Sequence, residues 1–423
     1  MMLRAAYLLA VSLCLLSACS RERSDVTVVK LWTIGREGEV VPEILKDFER
    51  THPKIRVEVQ QMPLTASHEK LLTAFAGDAL PDLSQLGNTW IPELAMLGAL
   101  EPLQPYVDAS HAIPVDDYFS GIWDSNVING RLYGVPWYID TRLLFYRKDL
   151  LAQAGFPEPP RDWATWTRAL AAIKEKAGAG NYSIFLPLNE FEPLLNLAVQ
   201  APDPLLRDND TRGNFESAGF RRAFDFYVEM FRRGWAPPMS NTEISNVWDE
   251  FAKGFFTFYI TGPWNVGEFR RRLPPALAND WGTAPLPGPD GPGAALGGGS
   301  SLVMFKSSSH KPEVWQLIEF LSQPEQQVRF HALTGDLPPR RSTWNDPELA
   351  TDEHAKAFRD QLERVKSTPK VPEWERIAQE MRLAAERAIR GGQSADEVLR
   401  DLDARADRIL EKRRWMLAQG TAP

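Results

Sequence analysis

Val26-Thr27-Val28-Val29-Lys30-Leu31-Trp32 is a run of apolar and β-branched residues suited to a buried strand. Downstream, Val40, Val41, Ile44, Leu45 and Phe48 recur at helical spacing, and Ile55, Val57 and Val59 then alternate as a second strand. Leu71, Leu72 and Phe75 mark another helix, and Pro81-Asp82-Leu83-Ser84-Gln85-Leu86 leads into a third strand. A β-α-β-α-β order of this kind implies a parallel sheet wrapped by helices, an α/β fold. Ligands of such open sheets sit beyond the carboxyl ends of the strands. That directs attention to two loops, Gly35-Arg36-Glu37-Gly38 and Gly87-Asn88-Thr89-Trp90.

A second α/β block follows. Leu143 to Tyr146 reads as a strand, and Trp163, Trp166, Leu170 and Ile173 share a helix face behind a cap at Asp162. Phe220, Phe224, Tyr227, Val228 and Phe231 do the same after Ser217, with Gly234 as the stop. Phe255 to Ile260 is an aromatic strand that runs into Thr261-Gly262-Pro263-Trp264. The stretch from Pro285 to Gly299 is crowded with Pro and Gly and reads as a loop between lobes. Helices resume at Pro312, Pro324 and Pro347, and Ser394-Ala395-Asp396-Glu397 is a capping-box signature.

Outside this body, Arg4 and the apolar run Ala5 to Leu15 form a targeting segment too short to span a membrane. Leu16-Ser17-Ala18-Cys19 resembles the bacterial lipobox, so Cys19 is the expected lipidation site and first mature residue. Residues 1–18 are then the signal peptide and 19–25 a lipidated tether, placing the protein at a bacterial cell surface or in a periplasm. Cys14 and Cys19 are the two cysteines, which leaves none in the folded body for a disulfide or a thiol nucleophile.

The 423 residues carry a net charge of −8, which argues against a nucleic-acid binder. Fourteen Trp and 21 Phe supply ample core, and a mean hydropathy of −0.32 fits a globular rather than a polytopic membrane chain. The six His are scattered without metal-ligand spacing, and no phosphate-binding loop, dinucleotide fingerprint or nucleophile elbow is present. Asp208 to Gly213 has Arg at a calcium-ligand position and no closing Glu, so it reads as a turn. Neither a metal nor a cofactor is expected.

What remains is aromatic residues and carboxylates in loops after strands, with Trp90, Trp137-Tyr138, Trp264 and Trp344 as candidates. Sugars offer C–H faces to an aromatic plane, and their hydroxyls donate to carboxylates. Trp32, Trp163 and Trp166 are assigned to the core from their strand and helix positions.

Leu132-Tyr133-Gly134-Val135-Pro136-Trp137-Tyr138-Ile139-Asp140-Thr141-Arg142, continuing to Leu150, resembles the extracellular sugar-binding proteins of ABC importers, most closely those for maltose and trehalose. Asn88-Thr89-Trp90 with Leu100-Glu101-Pro102-Leu103, Pro159 to Trp163, Phe251 to Trp264, and Leu337 to Arg341 agree with that family in order and spacing. The resemblance implies a type II periplasmic-binding-protein fold, α/β and two-lobed, with the ligand cleft between lobes. One lobe would comprise 26–139 with 285–345, and the other 140–284 with 346–423. It implies a non-catalytic monomer that binds a carbohydrate, closes, and docks to an ABC permease.

By position, the resemblance assigns ligand contacts to Arg36, Glu37, Asn88, Thr89, Trp90, Tyr138, Asp140, Trp264, Gly298, Gly299 and Arg341. Two departures bear on the ligand. No Trp follows Gly298-Gly299, and Thr368 stands where the trehalose-type pattern has Arg. The implied solute is an α-linked disaccharide such as maltose or trehalose. The alternatives are a longer oligosaccharide, a glycerol phosphate ester, or a secreted glycosidase using Glu37 and Asp140.

Overall fold

The computed structural model describes residues 26–419; the expected lipidation site at Cys19 lies outside the described residues. Strand β1 (Thr27–Ile34), helix α1 (Glu37–Thr51), β2 (Ile55–Met62), α2 (Leu64–Ala76) and β3 (Leu83–Gly87) form the opening unit. Both β2 and β3 run parallel to β1, with Thr27 opposite Ile55 and Leu31 opposite Leu83. Helix α1 buries Val41, Ile44, Leu45 and Phe48 against this sheet. Each such large apolar side chain contributes about 1.5–3 kcal/mol relative to exposure.

Strand β4 (Val135–Thr141) is followed, after Arg142 alone, by β5 (Leu143–Arg147). Next come α3 (Trp163–Ala177), β6 (Tyr182–Phe185), α4 (Glu192–Ala198), α5 (Ala218–Arg232), β7 (Phe256–Thr261), α6 (Trp264–Arg272) and β8 (Trp281–Ala284). Strand β9 (Ala295–Met304), α7 (Pro324–Thr334), β10 (Val365–Lys366), α8 (Trp374–Arg390) and α9 (Ala395–Ile409) complete the main elements.

Two sheets result. The first has the order β10-β9-β3-β1-β2, with β4 also paired to β9, and the second has the order β8-β5-β7-β6. The chain therefore leaves the first sheet at Thr141 and enters the second at Leu143. Ile139, Leu143, Phe145, Leu337, Trp344 and Phe358 pack together across this crossing. A separate core joins α3, α5, α8 and α9 through residues such as Trp166, Phe224, Trp374 and Leu402. The fold is the two-lobed α/β arrangement expected.

Local signals behave as their chemistry predicts. Asp162 Oδ1 accepts from the Thr165 amide at 2.7 Å and caps α3, and Ser394 with Glu397 forms a reciprocal capping box on α9. Three expectations need correction. The tract from Pro285 to Gly299 is not all loop, because its last five residues lie in β9, where pairing of Gly297 to Gly299 with β4 overrides the low strand preference of glycine. Trp137 and Trp344 are core residues, at 2% and 1% exposure, rather than sugar platforms. Trp32 is only half-buried, with Lys70 Nζ 4.9 Å above its ring. Among the described residues, no helix is long and apolar enough to cross a membrane.

Candidate functional site

The carboxyl end of β3, the outward face of β4 and the glycine segment of β9 open onto a cavity of about 470 Å³. Its far wall includes Phe191 and Glu192, where α4 begins, and the segment Ser367 to Lys370 with Glu375. Alternation along β4 sets the near wall. Val135, Trp137 and Ile139 point into the core, so Tyr138 and Asp140 face the cavity.

Polar groups behind the cavity are already paired. Gln85 Nε2 donates to the Tyr138 hydroxyl at 3.0 Å, and Ser300 Oγ donates to the same oxygen at 3.0 Å. Glu37 lies behind the Tyr138 hydroxyl, close enough for the two groups to act on each other. Glu37 in turn neighbours the Asp336 carboxyl. Burial raises the affinity of both carboxyls for a proton, and the neighbouring charges of Glu37 and Asp140 help push Asp336 up to about 8. Asp336 therefore holds its proton far more tightly than an exposed aspartate does. Burial, reinforced by the Glu37 and Asp336 charges, also holds the Tyr138 phenol neutral.

Asn88 lines the cavity as part of its frame, accepting from Ser301 Oγ at 3.0 Å and donating to Ser125 Oγ at 2.6 Å. Trp90 lies against His68 with ring centroids 5.0 Å apart, and His68 Nε2 is 2.7 Å from Glu93 Oε2. That contact braces one side of the Trp90 ring. Asp140 Oδ1 accepts from Arg142 Nη1 at 2.5 Å, and the Arg142 guanidinium lies 4.6 Å from the Trp264 ring centroid.

Asn88, Thr89, Trp90, Tyr138, Asp140, Gly298 and Gly299 thus come together on the cavity. The other expected contacts lie elsewhere. Arg36 donates to the Leu333 carbonyl at 3.1 Å, and Glu37 sits behind Tyr138. Trp264 lies under Arg142 and is 41% exposed. Arg341 pairs with Glu363 and covers Phe119. Its neighbour Arg340 is a buried strut bonded to Asp117, Ala112 and Ser322.

Sequence reasoning missed Gln85, Arg142, Glu192, Asp336 and Glu375. A buried polar residue in the apolar strand 83–87 was the available signal for Gln85, and the Tyr138-x-Asp140-x-Arg142 alternation for Arg142. Thr368 does line the cavity, and the nearby Lys370 ammonium is taken up by Asp124, whose carboxylate lies 2.7 Å away.

A cleft between two sheets, walled by Trp90, Tyr138, Phe191 and several carboxylates, defines a two-lobed solute receptor. The chain belongs to the bacterial extracellular solute-binding protein family, whose sequence profile matches residues 33–328. It is similar to the solved sugar-binding protein MalE of the phytopathogen Xanthomonas citri, with 60% identity and a TM-score of 0.91, covering 93% of this chain and all of that one. A Brucella abortus protein named only as a binding protein is 27% identical over 404 residues, 93% of this chain and 95% of its own. The diacetylchitobiose binding protein DasA of Streptomyces coelicolor is 25% identical over 337 residues, 78% of this chain and 77% of its own.

Proposed function

We propose that this protein is the sugar-binding component of an ABC importer. It takes an α-linked disaccharide such as maltose or trehalose into the cleft by lobe closure and delivers it to a permease. The observation that carries this reading is the convergence of Trp90, Asp140 and Glu192 on one cavity of about 470 Å³ between the two sheets. That volume falls in the range of small-molecule sites, roughly 300–1,000 Å³. An indole supplies a plane for a sugar face and the carboxylates accept its hydroxyls. The likeness to a solved sugar-binding protein over that chain's whole length supports the same class of ligand.

Residues 26–139 with 285–345 act as one lobe and 140–284 with 346–423 as the other, hinged where β4 passes into β5. Closure about such a hinge is a standard switching mode. The protein is a monomeric receptor without catalytic activity, held to a bacterial membrane through lipid on Cys19. A glycerol phosphate ester suits the cleft poorly. Asp140, Glu192 and Glu375 line it against Arg142 and Lys370, and Lys370 is engaged by Asp124.

A ligand that binds only the folded state raises its stability, by about 2.7 kcal/mol at a hundredfold excess over Kd. Thermal melts of the purified protein with maltose, trehalose, sucrose, maltotriose, glucose and glycerol 3-phosphate test the reading, with each sugar examined afterwards by chromatography. A rise in Tm with maltose or trehalose and no cleavage product is the expected result. A rise confined to glycerol 3-phosphate, or the appearance of glucose, overturns it.

A further inference from the structure

Arg142 occupies the single position between β4 and β5, where the chain passes from one sheet to the other. Its side chain is 16% exposed and lines the cavity. Among the described residues, only Asp140 accepts a hydrogen bond from the guanidinium. A guanidinium carries five N–H donors, and Asp140 engages only one nitrogen of this one, Nη1. The Trp264 ring, 4.6 Å away, supports the cation by its face and supplies no acceptor for the remaining N–H groups. Glu192, on the same cavity, lies close enough for its charge to act on the guanidinium. Most of a rigid fork of donors therefore remains for whatever fills the cleft.

We propose that Arg142 is a specificity-determining binding residue: with the carboxylates of Asp140 and Glu192 it forms a donor–acceptor array that reads vicinal hydroxyls of one ring of the sugar. The inference rests on the disaccharide-receptor reading above. A carboxylate only accepts, whereas each hydroxyl of a diol both donates and accepts. Asp140 and Glu192 alone would satisfy the hydroxyl protons and leave the hydroxyl oxygens unmatched. Arg142 supplies the missing donors in a fixed plane, set by Asp140 at one edge and Trp264 beneath. The two carboxylates also offset its charge, so the array suits a neutral polyol rather than an anion. Trp264 acts here as a positioning residue.

The test is calorimetric titration of wild-type protein, Arg142→Met and Arg142→Lys with maltose, trehalose and the monodeoxy derivatives of whichever binds. Methionine keeps an apolar stem over Trp264 and removes the donors; lysine keeps the charge without the fork. Wild type should discriminate by about tenfold against the derivative lacking the hydroxyl that Arg142 reads. Arg142→Met should bind the parent sugar about tenfold more weakly and no longer distinguish the two. Arg142→Lys should fall between, which keeps the test informative should Arg142→Met fail to fold. Unchanged discrimination in both variants, with or without a uniform loss of affinity, overturns the assignment and leaves the receptor reading standing. A wild type that binds neither disaccharide overturns that reading and the assignment with it.

Discussion

A Cβ placed on Gly299 would collide with the carbonyl oxygen of Tyr138, and Gly299 itself holds a φ of +125°. The two residues lie on the paired strands β9 and β4, just before the register shift between Ser300 and Ser301. Only glycine allows the strands to approach this closely while Tyr138 stays hydrogen-bonded to Ser300 and Gln85. The Gly299→Ala variant is therefore expected to lose stability, by about 1–3 kcal/mol from backbone strain alone. A denaturant melt measures it, and sugar affinity should fall in parallel because Tyr138 is displaced.

The Glu37–Asp336 pair gives the protein a pH dependence of defined sign. Asp336 binds its proton more tightly when folded, at about 8 against an unfolded value near 3.8, because burial and the Glu37 and Asp140 charges disfavour its ionised form. Its stabilising effect is fully present below the unfolded value and is lost as pH rises through the folded one. Tyr138, Arg36 and His331, whose Nδ1 is 2.9 Å from the Asp336 carbonyl oxygen, complete the surroundings of the pair. Between pH 5 and 8, Tm of Asp336→Asn is expected to decline less than that of wild type, with the variant gaining relative stability toward pH 8. Parallel profiles would contradict the raised proton affinity of Asp336.

Trp90 supplies the aromatic plane of the cavity, and the His68–Glu93 contact braces it. Trp90→Ala should weaken sugar binding by about 1 kcal/mol or more, roughly fivefold in Kd. His68→Ala leaves the ring in place but unbraced, and should produce a smaller loss. Calorimetry on the two variants ranks them.

Asp162 offers a control remote from the cleft. It caps α3 through the Thr165 amide at 2.7 Å and the Thr165 hydroxyl at 3.1 Å. Asp162→Ala is expected to lower stability by about 1 kcal/mol in a urea melt while leaving sugar affinity unchanged.

The opening strands and the helix caps were legible because each depends on local periodicity or on a cap spanning three residues. Tyr138 and Asp140 were placed by family position, and the alternation of β4, with Val135, Trp137 and Ile139 in the core, explains why both face the cavity. The same rule would have removed Trp137 from the candidate platforms. The strand through Gly297–Gly299 was hidden, because nothing in three glycines announces pairing with β4. Asp336 and Glu192 were hidden for a different reason. They reach the site only through tertiary packing, one from the turn after α7 and the other from the start of α4, and neither sits in a local pattern. Arg36 and Arg341 were placed by family position, and in this chain their guanidinium groups are taken up by Leu333 and Glu363.

Calorimetric titration of wild type beside Asp140→Ala tests most directly whether Asp140 holds a disaccharide in the cleft. Wild type should bind maltose or trehalose, and the variant should lose about 1–3 kcal/mol, roughly fivefold to a hundredfold in Kd, because sugar hydroxyls would be left buried without an acceptor. Equal affinities in the two proteins, or no heat from either sugar with wild type, would contradict it.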